Sequence, residues 1–496
     1  MDLKTYITKD ATELKNDRQT SSITARELVE LSHQQMEKVN PDLNAVSHHR
    51  LEKAVDETVM QNEGPFGGVP LLLKNISQSM KGEPLTSGSK LLKGFVADTD
   101  SHFVKKLKDA GFIVMGHTNV PEFALKNITE PDTNGPTRNP WNHAHSPGGS
   151  SGGAAAAVAS GIVPVAGASD GGGSIRIPAS FTGLFGLKPT RGRTPVGPGA
   201  WRQWQGASID FVLSRSVRDS ARMLDVLQVV QPEAAFQTPL YPGKYADVLG
   251  HPFEKSLKIA YTTKSPVGTP VSADAERAVH RTIQWLEQEG HVTYEVDNGV
   301  DGIRLMNNYF LMNSGEVSNV IHQMEKGMGR KLTAQDVEVE TWLLNVAGKS
   351  VSASEFSASL ASWDDASAKM EELFQSYDFY LTPTTAYTAP KIGELTFSQQ
   401  EKARLISNIE KQQPQEQQTL IYDMFLPSLT YTPFTQLANL TGQPGISVPV
   451  HLSEQGLPLG VQVMASKGEE SRLLQLAYQL EQSDLWIGMQ GNPMFE

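Results

Sequence analysis

Two short runs, Pro147-Gly-Gly-Ser150-Ser151-Gly-Gly153 and Ser169-Asp170-Gly171-Gly172-Gly173-Ser174-Ile-Arg176, set two serines in glycine-rich backbone twenty-four positions apart, and they restrict the fold more than any other feature. Glycine lets the main chain enter left-handed conformations and approach a neighbour closely, and successive unencumbered N–H groups form an anion-binding nest. Few structural needs demand two such turns. A hydroxyl nucleophile beside a cradle for a developing oxyanion is what acyl transfer needs. Gly171, Gly172 and Gly173, with the N–H of Ser174, are the candidate cradle. Taken alone, a serine after three glycines reads first as a turn residue.

Around these turns, short apolar runs alternate with helical patterns. Thr24 and Glu27 form a capping box, Leu28, Leu31 and Val39 recur near helical period, and Pro41 follows, which predicts an opening helix over 24–39. A helix over 103–110, stopped by Gly111, and a buried strand over 112–115 come next. Between the glycine turns, 154–160 reads as a small-residue helix and 162–166 as a strand delivering the chain to the second turn. Farther on, 257–261 reads as a strand, and 272–289 as a helix capped by Ser272 and stopped at Gly290. A closing helix over 471–482 turns Leu473, Leu474, Ala477 and Leu480 inward. The alternation predicts an α/β sheet covered on both faces. The glutamine-rich run 399–418 is expected to be an exposed helix-loop insertion.

Composition excludes several functions. A net charge of −12 argues against nucleic-acid and acidic-membrane partners, which are met by clustered Lys and Arg. Zero cysteines removes disulfides, thiolate metal sites and cysteine nucleophiles together. The N-terminal residues show no basic and then apolar leader pattern, and no run of eighteen apolar residues occurs, so a cytoplasmic protein is expected.

Upstream of the turns lies Gly68-Val-Pro-Leu-Leu-Leu-Lys74-Asn75, an apolar run ending in lysine, and downstream lies Phe185-Gly-Leu-Lys-Pro-Thr-Arg-Gly192. With these, and with Gly116-His-Thr-Asn-Val-Pro-Glu-Phe123, Thr137-Arg-Asn-Pro-Trp141, Asp378-Phe-Tyr-Leu-Thr-Pro383 and Pro458-Leu-Gly-Val-Gln462, the chain resembles the amidase signature family. The resemblance covers nearly the whole chain and is weakest over about 200–430. It implies an α/β fold with a large mixed β-sheet core surrounded by α-helices. The whole of 1–496 would be a single amidase domain, with an N-terminal helical segment to about 60, a signature core over about 65–200 and a variable substrate-facing region over about 200–430. It also implies a catalytic triad: Ser174 as nucleophile, Ser150 as a proton-relaying serine on a cis peptide bond, and Lys74 as the terminal base. Neither metal nor cofactor enters that chemistry. The implied reaction hydrolyses a small linear or cyclic amide to a carboxylic acid and an amine or ammonia, through an acyl-enzyme. Gly171-Gly-Gly173 with Ile175-Arg-Ile-Pro178 looks most like the branch that acts on such amides, 6-aminohexanoate cyclic dimer among them. The expected partner is a small-molecule amide and the expected assembly a homodimer, with neither nucleic acid nor membrane as a partner.

A second role within the family is the amidase subunit of a transamidating complex that supplies ammonia to a partner acting on charged tRNA. Arg191-Gly-Arg-Thr-Pro-Val-Gly-Pro-Gly199 departs from the continuation expected of such subunits.

Each chemical residue also has a plainer reading. Lys74 at the end of an apolar strand reads equally as a lysine snorkelling to solvent. To act as a base near neutrality its pKa must fall by ~3 units, which full burial can produce. Gly148-Gly-Ser150-Ser-Gly152 and Gly167-Ala-Ser169-Asp-Gly171 both satisfy the G-x-S-x-G pattern of α/β-hydrolases, but neither has the required strand before and helix after. Ser87-Gly-Ser-Lys90 fits S-x-x-K, yet the Lys-Thr-Gly element that accompanies it is absent. No Gly-Lys-Ser or Gly-Lys-Thr directly follows either glycine run, against a phosphate loop. His143 and His145, like His48 and His49, read as loop residues rather than metal ligands. Asp170 and Arg176 are open between a supporting ion pair and substrate contacts, and Ser151 is a candidate member of the same network. Walls for a pocket are expected from 124–128, Trp201, Trp204 and 309–313.

Overall fold

The strands join in the order β1-β3-β2-β4-β6-β5-β10-β11-β9-β7-β8 to make one mixed sheet. They are β1 Val46–His49, β2 Pro70–Lys74, β3 Ile113–Thr118, β4 Val165–Asp170, β5 Phe185–Lys188, β6 Ile209–Ser214, β7 Lys258–Tyr261, β8 Val292–Glu295, β9 Phe379–Pro383, β10 Gly445–Leu452 and β11 Pro458–Met464. The structure is a computed structural model that describes residues 1–20, 22–59 and 63–495.

The centre of the sheet positions the two glycine turns. β2 is buried along its whole length, as a strand covered on both faces must be. It runs parallel to β3 and to β4, with Leu71 opposite Val165 and Leu72 opposite Ala166. Lys74 and Asp170 therefore sit at the carboxyl ends of adjacent parallel strands, the edge at which open α/β sheets bind ligands. Helix Gly152–Ala159 leaves the first turn and is buried on every side, which explains its run of glycine and alanine. A strand longer than expected follows it. β4 begins after Pro164, which lacks the N–H a central ladder needs, and runs through Asp170 rather than ending at 166. Ser169 and Asp170 are thus strand residues, and the turn proper starts at Gly171.

The opening helix, Ala25–Leu43, carries the expected capping box between Thr24 and Glu27, but it does not stop before Pro41. Leu43 is fully buried and Asn44 closes the helix in the left-handed region, so packing carries the last turn past the proline. Ser272 and Ser101 cap helices Ala273–Gln288 and His102–Asp109, and the closing helix Glu470–Glu481 buries Leu473, Leu474, Ala477 and Leu480. The run 399–418 forms helix Gln399–Ile409 and the start of helix Pro414–Tyr431. It is anchored rather than free, because Leu405 and Ile409 enter an apolar cluster with Phe310, Ile321, Leu343 and Phe425. That cluster lies along helix Gly302–Met328, the longest of the chain's described helices, where Phe310 stacks on Phe425 at 5.0 Å between ring centroids. Among the described residues no helix is long and apolar enough to cross a membrane.

Candidate active site

Lys74 is fully buried, and its ammonium nitrogen reaches two hydroxyls. Nζ lies 2.8 Å from Ser150 Oγ and 2.8 Å from Ser169 Oγ, with Ser169 O at 3.4 Å. Burial drives its pKa down to about 7, against the opposing charges of Asp210 and Asp170. The snorkelling alternative is therefore excluded: the side chain turns inward. Its backbone N–H donates to Gln78 Oε1 at 2.8 Å, while Gln78 Nε2 donates to Ala168 O at 3.0 Å, pinning the end of β2 to β4.

Ser150 follows a cis peptide bond after Gly149. Ser151 Oγ donates to Ser169 O at 3.2 Å and accepts from Ser169 N at 3.3 Å, stitching the first glycine turn onto β4 beside Lys74. Ser151 is in this way part of the network, one residue removed from the lysine.

The second turn is organised by Asp170. Its carboxylate accepts hydrogen bonds from the N–H groups of Gly173 at 2.7 Å and Ile175 at 3.1 Å. It also pairs with Arg176, Nε at 3.0 Å and Nη2 at 2.9 Å. Both side chains are sealed from solvent. Burial pushes the Asp170 carboxyl up, but the charge and hydrogen bonds of Arg176 overcome it and hold the pKa at about 2. Arg176 then reaches Gln462 Oε1 at 2.5 Å and Asn439 Oδ1 at 2.7 Å. The pair supports the turn and does not line the cavity.

The four-donor cradle needs one correction. The Gly173 N–H is consumed by Asp170, so Gly173 serves the turn by its backbone shape, at φ +123°, where a side chain would run into Thr435. The carbonyls of Gly171 and Gly172 are held by Tyr309 OH at 3.0 Å and Thr435 Oγ1 at 2.7 Å. Of the expected cradle's four N–H groups, those of Gly171, Gly172 and Ser174 are the ones Asp170 does not take through this bond.

Ser150, Ser169, Gly171, Gly172 and Ser174 share the wall of a cavity of about 850 Å³. Among the described residues no hydrogen bond joins Ser174 Oγ to Ser150 Oγ, so the structure holds the lysine half of the expected relay and leaves the Ser174 hydroxyl in the cavity. Residues 124–127, Trp201, Trp204, Tyr309, Phe310 and Asn313 line it as expected, whereas Ile128, Leu311 and Met312 do not. Ser87 also lines it, but Lys90 faces solvent, so no S-x-x-K pair forms.

The amidase family model matches residues 27–474. The chain belongs to the amidase signature family. It is similar to a lipoamidase of Enterococcus faecalis, 42% identical over 459 residues, which is 92% of this chain and 60% of that protein. The chain thus spans about 60% of the length of that relative. It is 34% identical to the 6-aminohexanoate-cyclic-dimer hydrolase of Paenarthrobacter ureafaciens over 98% of this chain and 96% of the relative. The solved structure of 6-aminohexanoate cyclic dimer hydrolase complexed with substrate superposes with a TM-score of 0.90 at 34% identity, covering 100% of both chains. The chain is a hydrolytic amidase acting on amide C–N bonds, and the relatives do not favour the transamidating alternative.

Several residues around the site of this amidase escape sequence reasoning. Ser169 is weighed there only as an elbow serine, yet it is the second hydroxyl on Lys74. Asp210 on β6 accepts from Ser77 Oγ at 2.6 Å and Gln78 Nε2 at 3.2 Å and faces the lysine electrostatically. The strand periodicity of β4 puts Ser169 on one face, but only the pairing with β2 shows that this face meets Lys74.

Proposed function

We propose that this amidase is cytoplasmic, works without metal or cofactor, and cleaves its substrate through an acyl-enzyme on Ser174. Neutral Lys74 accepts the proton of Ser150 as Ser150 accepts that of Ser174, and Ser174 Oγ bonds to the amide carbonyl carbon. The N–H groups of Gly171, Gly172 and Ser174 receive the oxyanion. The proton then returns from Lys74 through Ser150 to the leaving nitrogen, the C–N bond breaks, and water releases the acid by the same relay. The observation that carries this reading is the 2.8 Å contact of a buried, pKa-depressed lysine with Ser150, on the wall of the cavity that holds Ser174.

The substrate's acyl half is an apolar chain. Met306, Phe310, Val317, Ile321 and Met324 recur at helical spacing on helix Gly302–Met328 and line one wall of the cavity. They extend over about 27 Å of helix at 1.5 Å rise per residue. Phe425 and Leu429 add to the same wall. Of the two relatives' names, lipoamidase suits an open chain laid along such a wall better than a cyclic dimer, whose methylenes are closed into a ring. Primary amides from acetamide to octanamide test it. kcat/KM is expected to rise about fourfold per added methylene, the ratio set by burying one CH2. A flat or falling series, with the cyclic dimer as the best substrate, refutes the apolar acyl assignment.

A further inference from the structure

A second cavity, of about 500 Å³, is lined from β9, from the end of β8 and from the loop that follows β7. Thr382 and Tyr380 of β9 contribute one side, and Val267, Leu305 and Leu437 an apolar one. Met306 and Gln436 line both cavities and form the partition between them. Met306 is an unbranched, rotatable side chain that can yield to a ligand. Gln436 is only 8% exposed, and its Nε2 donates to Thr432 O at 2.9 Å, but its Oε1 has no hydrogen-bond partner among the described residues. A buried acceptor left without a donor is costly, so this oxygen marks a place for a donor brought by a ligand. It stands at the turn that carries Ser174: Thr435 holds the Gly172 carbonyl, and Gln436 Cγ lies 3.7 Å from where a side chain on Gly172 would start. The other wall of the cavity carries the carboxylates of Glu295 and Asp297 against one cation, Lys264, whose Nζ is 3.7 Å from Glu295.

We propose that this second cavity takes the amine half of the substrate, a primary alkylamine joined through its nitrogen to the acyl group, with Gln436 Oε1 accepting the N–H of the scissile amide. The inference rests on the acyl-enzyme reading above. The two cavities then divide the substrate at its C–N bond, acyl chain along helix Gly302–Met328 and amine across the partition. Once the bond breaks and the nitrogen has taken its proton through the relay, the amine is released toward two carboxylates. At neutral pH it acquires a further proton from water, and the anionic wall favours the resulting ammonium while disfavouring the carboxylate product. The same chemistry describes a free alkylamine and the side chain of a lysine in a peptide.

The test compares octanamide, N-butyloctanamide and a short peptide carrying Nε-octanoyl-lysine, with wild type, Leu437→Trp and Asp297→Asn. Leu437→Trp fills the second cavity, and the ratio of kcat/KM for N-butyloctanamide over octanamide is expected to fall at least about tenfold. Asp297→Asn is expected to weaken product inhibition by butylammonium about threefold, the scale of one exposed charge. If the peptide is turned over as fast as N-butyloctanamide and responds alike, the amine is a lysine side chain; if only N-butyloctanamide is, it is a free alkylamine. An unchanged ratio in a Leu437→Trp protein that still hydrolyses octanamide overturns the second cavity while leaving the Ser174 reading intact. Should Leu437→Trp fail to fold, unchanged butylammonium inhibition in Asp297→Asn overturns it alone. Wild type that hydrolyses neither octanamide nor its N-butyl derivative overturns both.

Discussion

Lys74 Nζ donates to Ser150 Oγ across 2.8 Å in a space closed to solvent. The contact is specific because the lysine ends a fully buried strand and the serine sits in backbone stitched to the neighbouring strand through Ser151 and Ser169. With a pKa lowered to about 7, the amine exchanges its proton near neutrality, as a base in a relay must.

Ser150 and Ser169 contact the lysine at equal distance, but only Ser150 lies between it and Ser174 in the proposed relay. Ser150→Ala is expected to lower kcat by at least about a hundredfold, as loss of a proton-transfer group does. Ser169→Ala removes one orienting hydrogen bond and is expected to cost about tenfold. Steady-state kinetics on one substrate decide it, and an equal or larger loss in Ser169→Ala reverses the assignment.

The acid limb of kcat/KM is expected to rise as pH climbs through about 7 and to stay high above it, because Lys74 must be neutral and burial has depressed its pKa. Lys74→Arg is expected to be inactive, since guanidinium does not give up its proton in the accessible range. A pH profile of the Arg variant with wild-type turnover would contradict this.

The same depression has a stability consequence of the opposite direction. A lysine whose folded pKa lies below its unfolded value binds fewer protons when folded, so its contribution is least favourable below about 7 and improves as pH rises toward the unfolded value. Lys74→Met is expected to raise Tm at pH 6 while abolishing activity, with the gain shrinking by pH 10. Thermal unfolding at the two pH values checks it; a gain that grows with pH is inconsistent with a neutral buried lysine.

What was legible in the sequence is what short-range chemistry dictates. β2 follows from the apolar run 69–73, the capped helices from Thr24, Ser272 and their partners, and the glycine turns from the residues themselves. β4 starts three residues after the expected 162 because Pro164 has no N–H to give the ladder. That Asp170 folds back to accept the Gly173 N–H is not legible either, since nothing local in the sequence says so. Gln462, which holds Arg176, lies 286 positions away, and Asn439 lies 263 away, so no window of sequence joins them to the turn.

Arg176 and Asp170 are buried together, and removing one strands the other's charge. Arg176→Ala is expected to destabilise the chain by about 3–5 kcal/mol and to loosen the Ser174 turn. Denaturant unfolding measures the loss. A change below about 1 kcal/mol with full activity would show that Asn439 and the turn amides alone hold Asp170.

The central claim is that Ser174 carries the acyl group. A fluorophosphonate probe followed by peptide mass spectrometry is expected to place a single adduct on the peptide containing Ser174, and Ser174→Ala is expected to remain folded and unlabelled. Labelling of the Ser174→Ala protein at the wild-type rate, or an adduct on Ser150 or Ser169 in the wild type, would contradict it.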